Sequence, residues 1–278
     1  MINSVVISNY SKLKPTIFAL PFFLLVGVVL FLYSQNSLNI ANYTLVQKDL
    51  FFWINSHLGQ YPTVIFNLTQ LGDASILLSF LIILVIYVPK MWEALLSASL
   101  FSLVFSWFFK NLFLVPRPSE LYDNTSFIIV GKTAVGFASL PSGHSITVFT
   151  TLTVILFAFM PQKIIVKIFW ILALMTIGLL IAFTRVGVGA HHPLDVIIGW
   201  IIGCFSGLLG IFFSLKYKLW NWINYKKYYP FFLILIIAGA ISLILKIIAD
   251  NLIIYYVALF SLLISFYKFS YDYFKKQS

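Results

Sequence analysis

Residues 164–216 read IIVKIFWILALMTIGLLIAFTRVGVGAHHPLDVIIGWIIGCFSGLLGIFFSLK. Two apolar runs, Ile164–Thr184 and Leu194–Leu215, each approach the roughly 20 residues that a helix needs to cross a bilayer. The short stretch between them holds an arginine and two histidines, and an aspartate is the second residue of the second run. Backbone polar groups in lipid must be satisfied internally, so such runs fold as helices. Ionisable groups at their ends call for a functional reason.

The same reading extends over the whole chain. Further apolar runs lie near Thr16–Tyr33, Ser75–Val88, Glu93–Leu114, His144–Met160, Phe231–Ala249 and Leu252–Tyr267. The run at Ser75 is short unless it begins near Leu68. The first run is too long, and lacks a small-residue cleavage site, for a removable signal peptide, so it reads as a retained span. The expected fold is therefore all-α, a polytopic membrane bundle of about eight spans. Residues 34–74, with Leu50-Phe51-Phe52-Trp53-Ile54 among polar groups, suit amphipathic segments at the interface.

Composition agrees. Of 278 residues 61% are apolar and 9% charged, against about 25% charged in soluble domains, which excludes a water-soluble enzyme and a disordered chain. A single cysteine, Cys204, excludes an intramolecular disulfide and a cysteine-cluster metal site. The net charge of +10 divides by membrane side. With the N-terminus inside, the inner segments carry Lys12, Lys14, Lys90, Lys163, Lys167, Lys216, Lys218, Lys226, Lys227, Lys268, Lys275 and Lys276. The outer ones carry Lys48, Lys110, Arg117, Lys132 and Arg185. This asymmetry puts both termini in the cytoplasm, and it explains the basic charge as membrane anchoring without nucleic acid as a partner.

With those anchors set aside, polar groups gather at the outer ends of the third to sixth spans. Lys110 precedes Arg117-Pro118 by seven residues, two helical turns. Pro141-Ser142-Gly143-His144 opens the fourth span as a helix start, where free N–H groups and the helix dipole attract anions. Thr184-Arg185 is followed by His191-His192-Pro193-Leu194-Asp195, and residues 191 and 195 are four apart, within reach on one helix face. Cations, amide donors, imidazoles and one carboxylate together suit a phosphate: charge on its oxygens is neutralised, while one histidine attacks phosphorus and another protonates the leaving oxygen.

At these residues the chain resembles the type 2 phosphatidic acid phosphatase (PAP2) superfamily of membrane lipid phosphatases, whose signature is K-x6-RP, PSGH and SR-x5-H-x3-D. Here the three parts are KNLFLVPRP from Lys110, PSGH from Pro141 and TRVGVGAHHPLD from Thr184. Every spacing fits, and threonine stands for serine at 184. The resemblance covers about residues 93–215, with Leu68-Thr69-Gln70-Leu71-Gly72-Asp73 as a weaker lead-in. It implies a catalytic membrane domain over 1–220, six spans in all, and a two-span extension over 221–278. It implies His191 as the nucleophile, Asp195 as its orienting partner and His144 as the general acid and base. Lys110, Arg117, Ser142, Gly143 and Arg185 would hold the phosphate. His192 also lies within reach of Asp195, but only His191 fits both intervals. The family's reaction uses no metal or organic cofactor.

The resulting expectation is a lipid phosphatase of the inner (cytoplasmic) membrane with an extracytoplasmic site, acting on a phosphomonoester or diphosphate headgroup such as lipid A or undecaprenyl diphosphate. A phosphotransferase using the same phosphohistidine is the alternative. A transporter fits less well, since paired half-sequences and midplane charges are lacking. Outside the motifs, His57 and Asp49 read as exposed outer residues, Glu120 and Asp123 as loop residues near the headgroup, Lys246 and Asp250 as a helical i,i+4 pair, and Gly199 with Gly203 as a helix-packing face.

Overall fold

The computed structural model describes residues 2–275; Lys276 lies outside them. The described residues form helices α1 (Ile2–Ser11), α2 (Ala19–Ser34), α3 (Ile40–Leu45), α4 (Lys48–Leu58), α5 (Pro62–Thr69), α6 (Ala74–Leu81) and α7 (Leu84–Tyr87). The chain continues through α8 (Pro89–Phe113), α9 (Pro118–Leu121), α10 (Gly143–Ala158), α11 (Ile164–Gly187), α12 (Pro193–Lys216), α13 (Tyr229–Asp250) and α14 (Ile253–Phe274). No strand occurs among them. Prolines at the starts of α8, α12 and α13 sit where a missing N–H costs nothing.

Among the described residues six helices are long and apolar enough to cross a membrane: α2 with its preceding turn, α8, α11, α12, α13 and α14. Pro62–Gly72 and Ala74–Leu81 are apolar enough only when taken together, and they are bent by 73°, as in a broken span or a re-entrant loop. The expected count of eight would need both that pair as one crossing and α10, whose 16 residues rise about 24 Å, short of the ~30 Å core. The first turn of α10 begins inside the bundle, where Ser142 and Ser145 have no exposure. The bend at residue 73 explains why the second apolar run reads as short from the sequence. Its two arms point in different directions, with the Asp73 side chain capping α6 by accepting from the Ser75 N–H at 2.8 Å.

The central helix is α12, packed closely on α10 and α8. Small residues make this possible. A Cβ on Gly203 would stand 2.8 Å from the Ile146 carbonyl oxygen, and one on Gly210 would stand 2.4 Å from the Ala98 nitrogen. Gly199 likewise lies against Ser142 and Ser145, so the expected packing face is present. Lipid tails offer helices no hydrophobic reason to associate, and close backbone approach supplies the attraction instead. The outward faces of α2, α11 and α13 leave Phe23, Phe169 and Ile234 exposed among many other apolar side chains.

The bundle has two chemically different ends. At one, Asn9 donates to the Ala158 carbonyl at 3.0 Å and Tyr10 to that of Val154 at 3.0 Å. There too Lys90 pairs with Glu93 at 2.8 Å and donates to the Ser214 carbonyl, while Asn224 donates to Glu93 at 2.7 Å. The Tyr229 and Phe269 rings meet with centroids 4.9 Å apart, which brings the C-terminal half of α14 to the start of α13. The opposite end collects the C-termini of α8 and α11 and the N-termini of α10 and α12, the four positions that carry the motifs.

Candidate functional site

Asp195, on the first turn of α12, organises this end of the bundle. It has no exposure, and each of its oxygens is occupied. Oδ1 accepts from the Tyr43 hydroxyl at 2.8 Å, while Oδ2 accepts from the Ser139 hydroxyl at 2.6 Å and the His192 N–H at 2.9 Å. A buried carboxylate stays ionised only when so supplied with donors. The Asp195 carbonyl in turn accepts from the Ser142 N–H at 3.0 Å, which ties the start of α10 to the start of α12.

His191 stands one helical turn before Asp195, with its Nδ1 3.6 Å from Oδ2 and 3.5 Å from the Ser139 hydroxyl oxygen. The first distance is a charge contact longer than a hydrogen bond. On the other edge of the ring, Nε2 lies 3.3 Å from Arg117 Nη1. Arginine can only donate, so Nε2 presents its lone pair to it and the ring proton sits on Nδ1, facing the carboxylate. Burial holds the His191 pKa down to about 3; the Asp195 contact opposes this and the Arg117 charge reinforces it. The imidazole is therefore neutral at neutral pH, with its free nitrogen turned toward a cation.

The loop that delivers His191 is shaped by Gly189, where φ is +78° and a Cβ would fall 2.8 Å from the Ile128 carbonyl oxygen, so a side chain is excluded. Asn55 of α4 braces the same loops: it donates to the Ile128 carbonyl at 2.8 Å and the Gly187 carbonyl at 3.0 Å, and accepts from the Ile128 N–H at 2.8 Å. The aromatic stretch around Phe51 thus does more than lie at an interface. Phe51 is fully buried, while Trp53 remains exposed.

The three cations approach from separate elements. Arg117, just past α8, donates to the Ala190 carbonyl at 2.9 Å. Arg185, near the end of α11, donates through Nη1 to the Thr69 hydroxyl at 3.1 Å, and its Nε is buried without a protein partner. Lys110 Nζ would be 3.5 Å from a Cβ on Gly143, which brings the ammonium to the first turn of α10. Neither Lys110 Nζ nor either ring nitrogen of His144 has a hydrogen-bond partner among the described residues. His144 rests on Gly72, where a Cβ would fall 2.7 Å from the histidine's own Cβ. All eight expected residues, Lys110, Arg117, Ser142, Gly143, His144, Arg185, His191 and Asp195, thus belong to one end of the bundle.

Neighbouring candidates have other occupations. His192 turns its Nε2 to the Pro116 carbonyl at 3.2 Å and packs against Phe51 and Tyr122, with its pKa lowered by burial. Thr184 donates its hydroxyl to the Ile181 carbonyl of its own helix. Glu120 accepts from the Gly136 N–H at 2.7 Å, Asp123 accepts from the Thr125 N–H at 2.9 Å, and His57 bonds the Trp53 carbonyl at 2.7 Å. Lys246 corrects an expectation: its partner is Asp73, at 2.6 Å, and not Asp250. The packing of α13 and α14 beside α6 brings a carboxylate from a distant part of the chain to it.

Four contributors are invisible in the motifs: Tyr43, Ser139, Thr69 and Gln47, which accepts from the Leu194 N–H at 2.8 Å. Ser139 sits two residues before Pro141 and Thr69 lies in the weaker lead-in over 68–73, while Tyr43 and Gln47 have no local signal. Burial, followed by the nearby Asp195 charge, raises the Tyr43 pKa well above the ordinary phenol value, so Tyr43 remains a donor. An apolar cavity of about 270 Å³ adjoins Tyr43, lined by Leu32, Phe109, Phe113, Val115, Leu140, Ile198 and Ile202 among others.

Comparison with known proteins matches residues 90–221 to the PAP2 superfamily. An undecaprenyl-diphosphatase of Sulfolobus acidocaldarius is 38% identical over 73 residues, 26% of this chain and 32% of that protein. The match thus spans about a third of that relative's length. The crystal structure of Aquifex aeolicus LpxE superposes with a TM-score of 0.49 at 28% identity, covering 62% of this chain and 96% of that one. The segment 90–221, which carries all three motifs at one end of the bundle, matches the PAP2 superfamily.

Proposed function

We propose that this multi-pass membrane protein is a lipid phosphatase that removes phosphate from a phosphomonoester or diphosphate headgroup through a phosphohistidine on His191. The observation that carries the reading is the His191 ring itself: a neutral imidazole, with Nδ1 toward Asp195 and the Nε2 lone pair beside Arg117. In the first step Nε2 attacks phosphorus, the bond to the leaving oxygen breaks, and His144 gives that oxygen a proton. The resulting imidazolium keeps its Nδ1 proton beside the Asp195 carboxylate, which stabilises the charge. In the second step water attacks the phosphohistidine, its proton passes to His144, and phosphate leaves His191 free. Lys110, Arg117 and Arg185, with the amide at Gly143, stabilise the charge on the phosphoryl oxygens, while Ser142, whose N–H is held by the Asp195 carbonyl at 3.0 Å, fixes that turn in place. This scheme needs no metal or organic cofactor.

The domain assignment goes with this reading: residues 1–220 form the catalytic unit and 221–278 an extension to it. The lysine asymmetry supports cytoplasmic termini and an extracytoplasmic site in the cytoplasmic membrane. The apolar cavity beside Tyr43 supports a substrate with long hydrocarbon tails. Undecaprenyl diphosphate, the substrate in the name of one relative, and lipid A are the best substrates under this reading.

The test is phosphate release by purified protein across a panel of lipid phosphates, each supplied alone. Inorganic phosphate is expected without a second lipid, and full activity in excess chelator. His191→Ala is expected to reduce turnover by at least about 10³-fold while the protein still inserts and runs as a single species. Turnover within tenfold of the unaltered protein removes His191 as the nucleophile, and release only when an acceptor lipid is added makes the protein a phosphotransferase.

A further inference from the structure

The PAP2 segment ends at residue 221, yet the helices beyond it reach back to the site. Lys246, on α13, pairs with Asp73 at 2.6 Å. The other oxygen of Asp73 caps α6, accepting from the Ser75 N–H at 2.8 Å and the Ser75 hydroxyl at 2.6 Å. The turn just before Asp73 is in contact with the site twice: Thr69 accepts from Arg185 at 3.1 Å, and Gly72 touches His144 so closely that a Cβ would clash at 2.7 Å. Both arms of the bent α5–α6 pair are held by the same extension. Asn67 accepts from the Ile254 N–H at 3.0 Å, and Ser261 donates to the Ser79 carbonyl at 3.1 Å.

We propose that the α13–α14 hairpin positions the active site, with Lys246, through Asp73, pressing the Thr69–Gly72 turn against His144. Lys246 is a positioning residue: it touches no reacting atom. The Lys246–Asp73 pair acts on geometry more than on stability. The two side chains are about a third exposed, at 28% and 31%, and a partly solvated pair adds little to folding. Without the ammonium, however, a carboxylate beside the membrane loses its counterion and turns toward water. The turn then draws away from the imidazole that must deliver a proton along a fixed line, and small displacements of an acid are costly to rate. The proposal takes the role of His144 from the phosphatase reading above.

The experiment uses the full chain in lipid nanodiscs, unaltered and as Lys246→Met, Lys246→Arg and Asp73→Asn. Carbethoxylation of His144 by diethyl pyrocarbonate, followed by mass spectrometry, measures how tightly the ring is covered and needs no activity. Phosphate release from phosphatidic acid is compared with that from para-nitrophenyl phosphate, whose leaving group departs without a proton. Lys246→Met and Asp73→Asn are each expected to raise the His144 labelling rate about threefold or more and to lower kcat on the lipid about tenfold at constant KM. The single-turnover burst of para-nitrophenol, which precedes water attack and so does not draw on His144, should change less than about threefold, and Lys246→Arg should restore both readouts. Unchanged His144 labelling in Lys246→Met, or in Asp73→Asn should the first not fold, overturns the proposal, as does an unchanged kcat in active protein. If the unaltered protein releases no phosphate from either compound while labelling still responds, the phosphatase reading falls and the positioning role stands.

Discussion

At the scale of single residues, Asp195 has three donors other than His191, and they do different work. Ser139 shares its oxygen with the histidine contact, at 2.6 Å, while Tyr43 holds the opposite oxygen at 2.8 Å. A hydrogen bond to a charged group contributes about 1.5–3 kcal/mol, so Tyr43→Phe and Ser139→Ala should each lower kcat by roughly 10- to 100-fold. Measured together, the two losses should fail to add, because both act through one carboxylate. The pH dependence of stability also originates here. The His191 pKa is lowered from 6.5 to about 3 by burial, so below pH 6.5 the unfolded chain binds a proton that the folded one refuses. Stability is then full above about 6.5 and falls as pH drops toward 3, by on the order of 2 kcal/mol between pH 6.5 and 5. Thermal unfolding in detergent between pH 7 and 5 should show this slope, flattened in His191→Asn. Lys110, Arg117, His144, His191 and Asp195 stand out in the sequence because each lies in a short motif at a span end, with local spacing inside the motif. Tyr43 was not, since 152 residues separate it from the carboxylate it serves.

At the scale of elements, the precision of the site depends on how closely α12 lies on α8 and α10. Gly210 permits the approach to α8; any Cβ there meets the Ala98 backbone at 2.4 Å. Gly210→Ala should therefore destabilise the protein by about 1–3 kcal/mol, as overpacking does, seen as a lower unfolding midpoint in detergent. Gly27 on α2 has nothing within 4 Å, and Gly27→Ala should leave the midpoint unchanged or raise it slightly, since alanine favours a helix. The long apolar runs at 164–184 and 194–215 matched α11 and α12 closely because nothing local competes with helix in lipid. The run at 75–88 did not match so well: Asp73 caps one arm and the chain bends by 73°, with α10 packed on the turn before the bend and α14 on the arm after it.

For the molecule as a whole, the two ends of the bundle differ in charge and task. Lys12, Lys14, Lys163 and the Lys216–Lys227 cluster flank the end that holds α1, while the motifs occupy the other. Under the proposed orientation, Glu120→Cys should react with a membrane-impermeant maleimide added to intact cells, and Lys218→Cys only after the cells are opened. The native thiol should not interfere, because Cys204 lies midway along the spanning helix α12, packed against an apolar cluster, where a thiol is inert. The reverse labelling pattern would turn the protein over in the membrane.

Much of this molecule is determined by the sequence alone. Apolar runs of spanning length dictate helices, because unpaired backbone groups are too costly in lipid, and the motifs show which helix ends gather the ionisable groups. Only the tertiary structure decided what surrounds those residues. It brought Tyr43 and Ser139 to Asp195, Thr69 to Arg185, Gly72 to His144, and Lys246 to Asp73 in place of Asp250. These partners come from helices far apart in the chain, and sequence spacing carries no information about such pairs. They are selected by which helix faces can approach one another, through glycine contacts and a bend, once the whole bundle is packed.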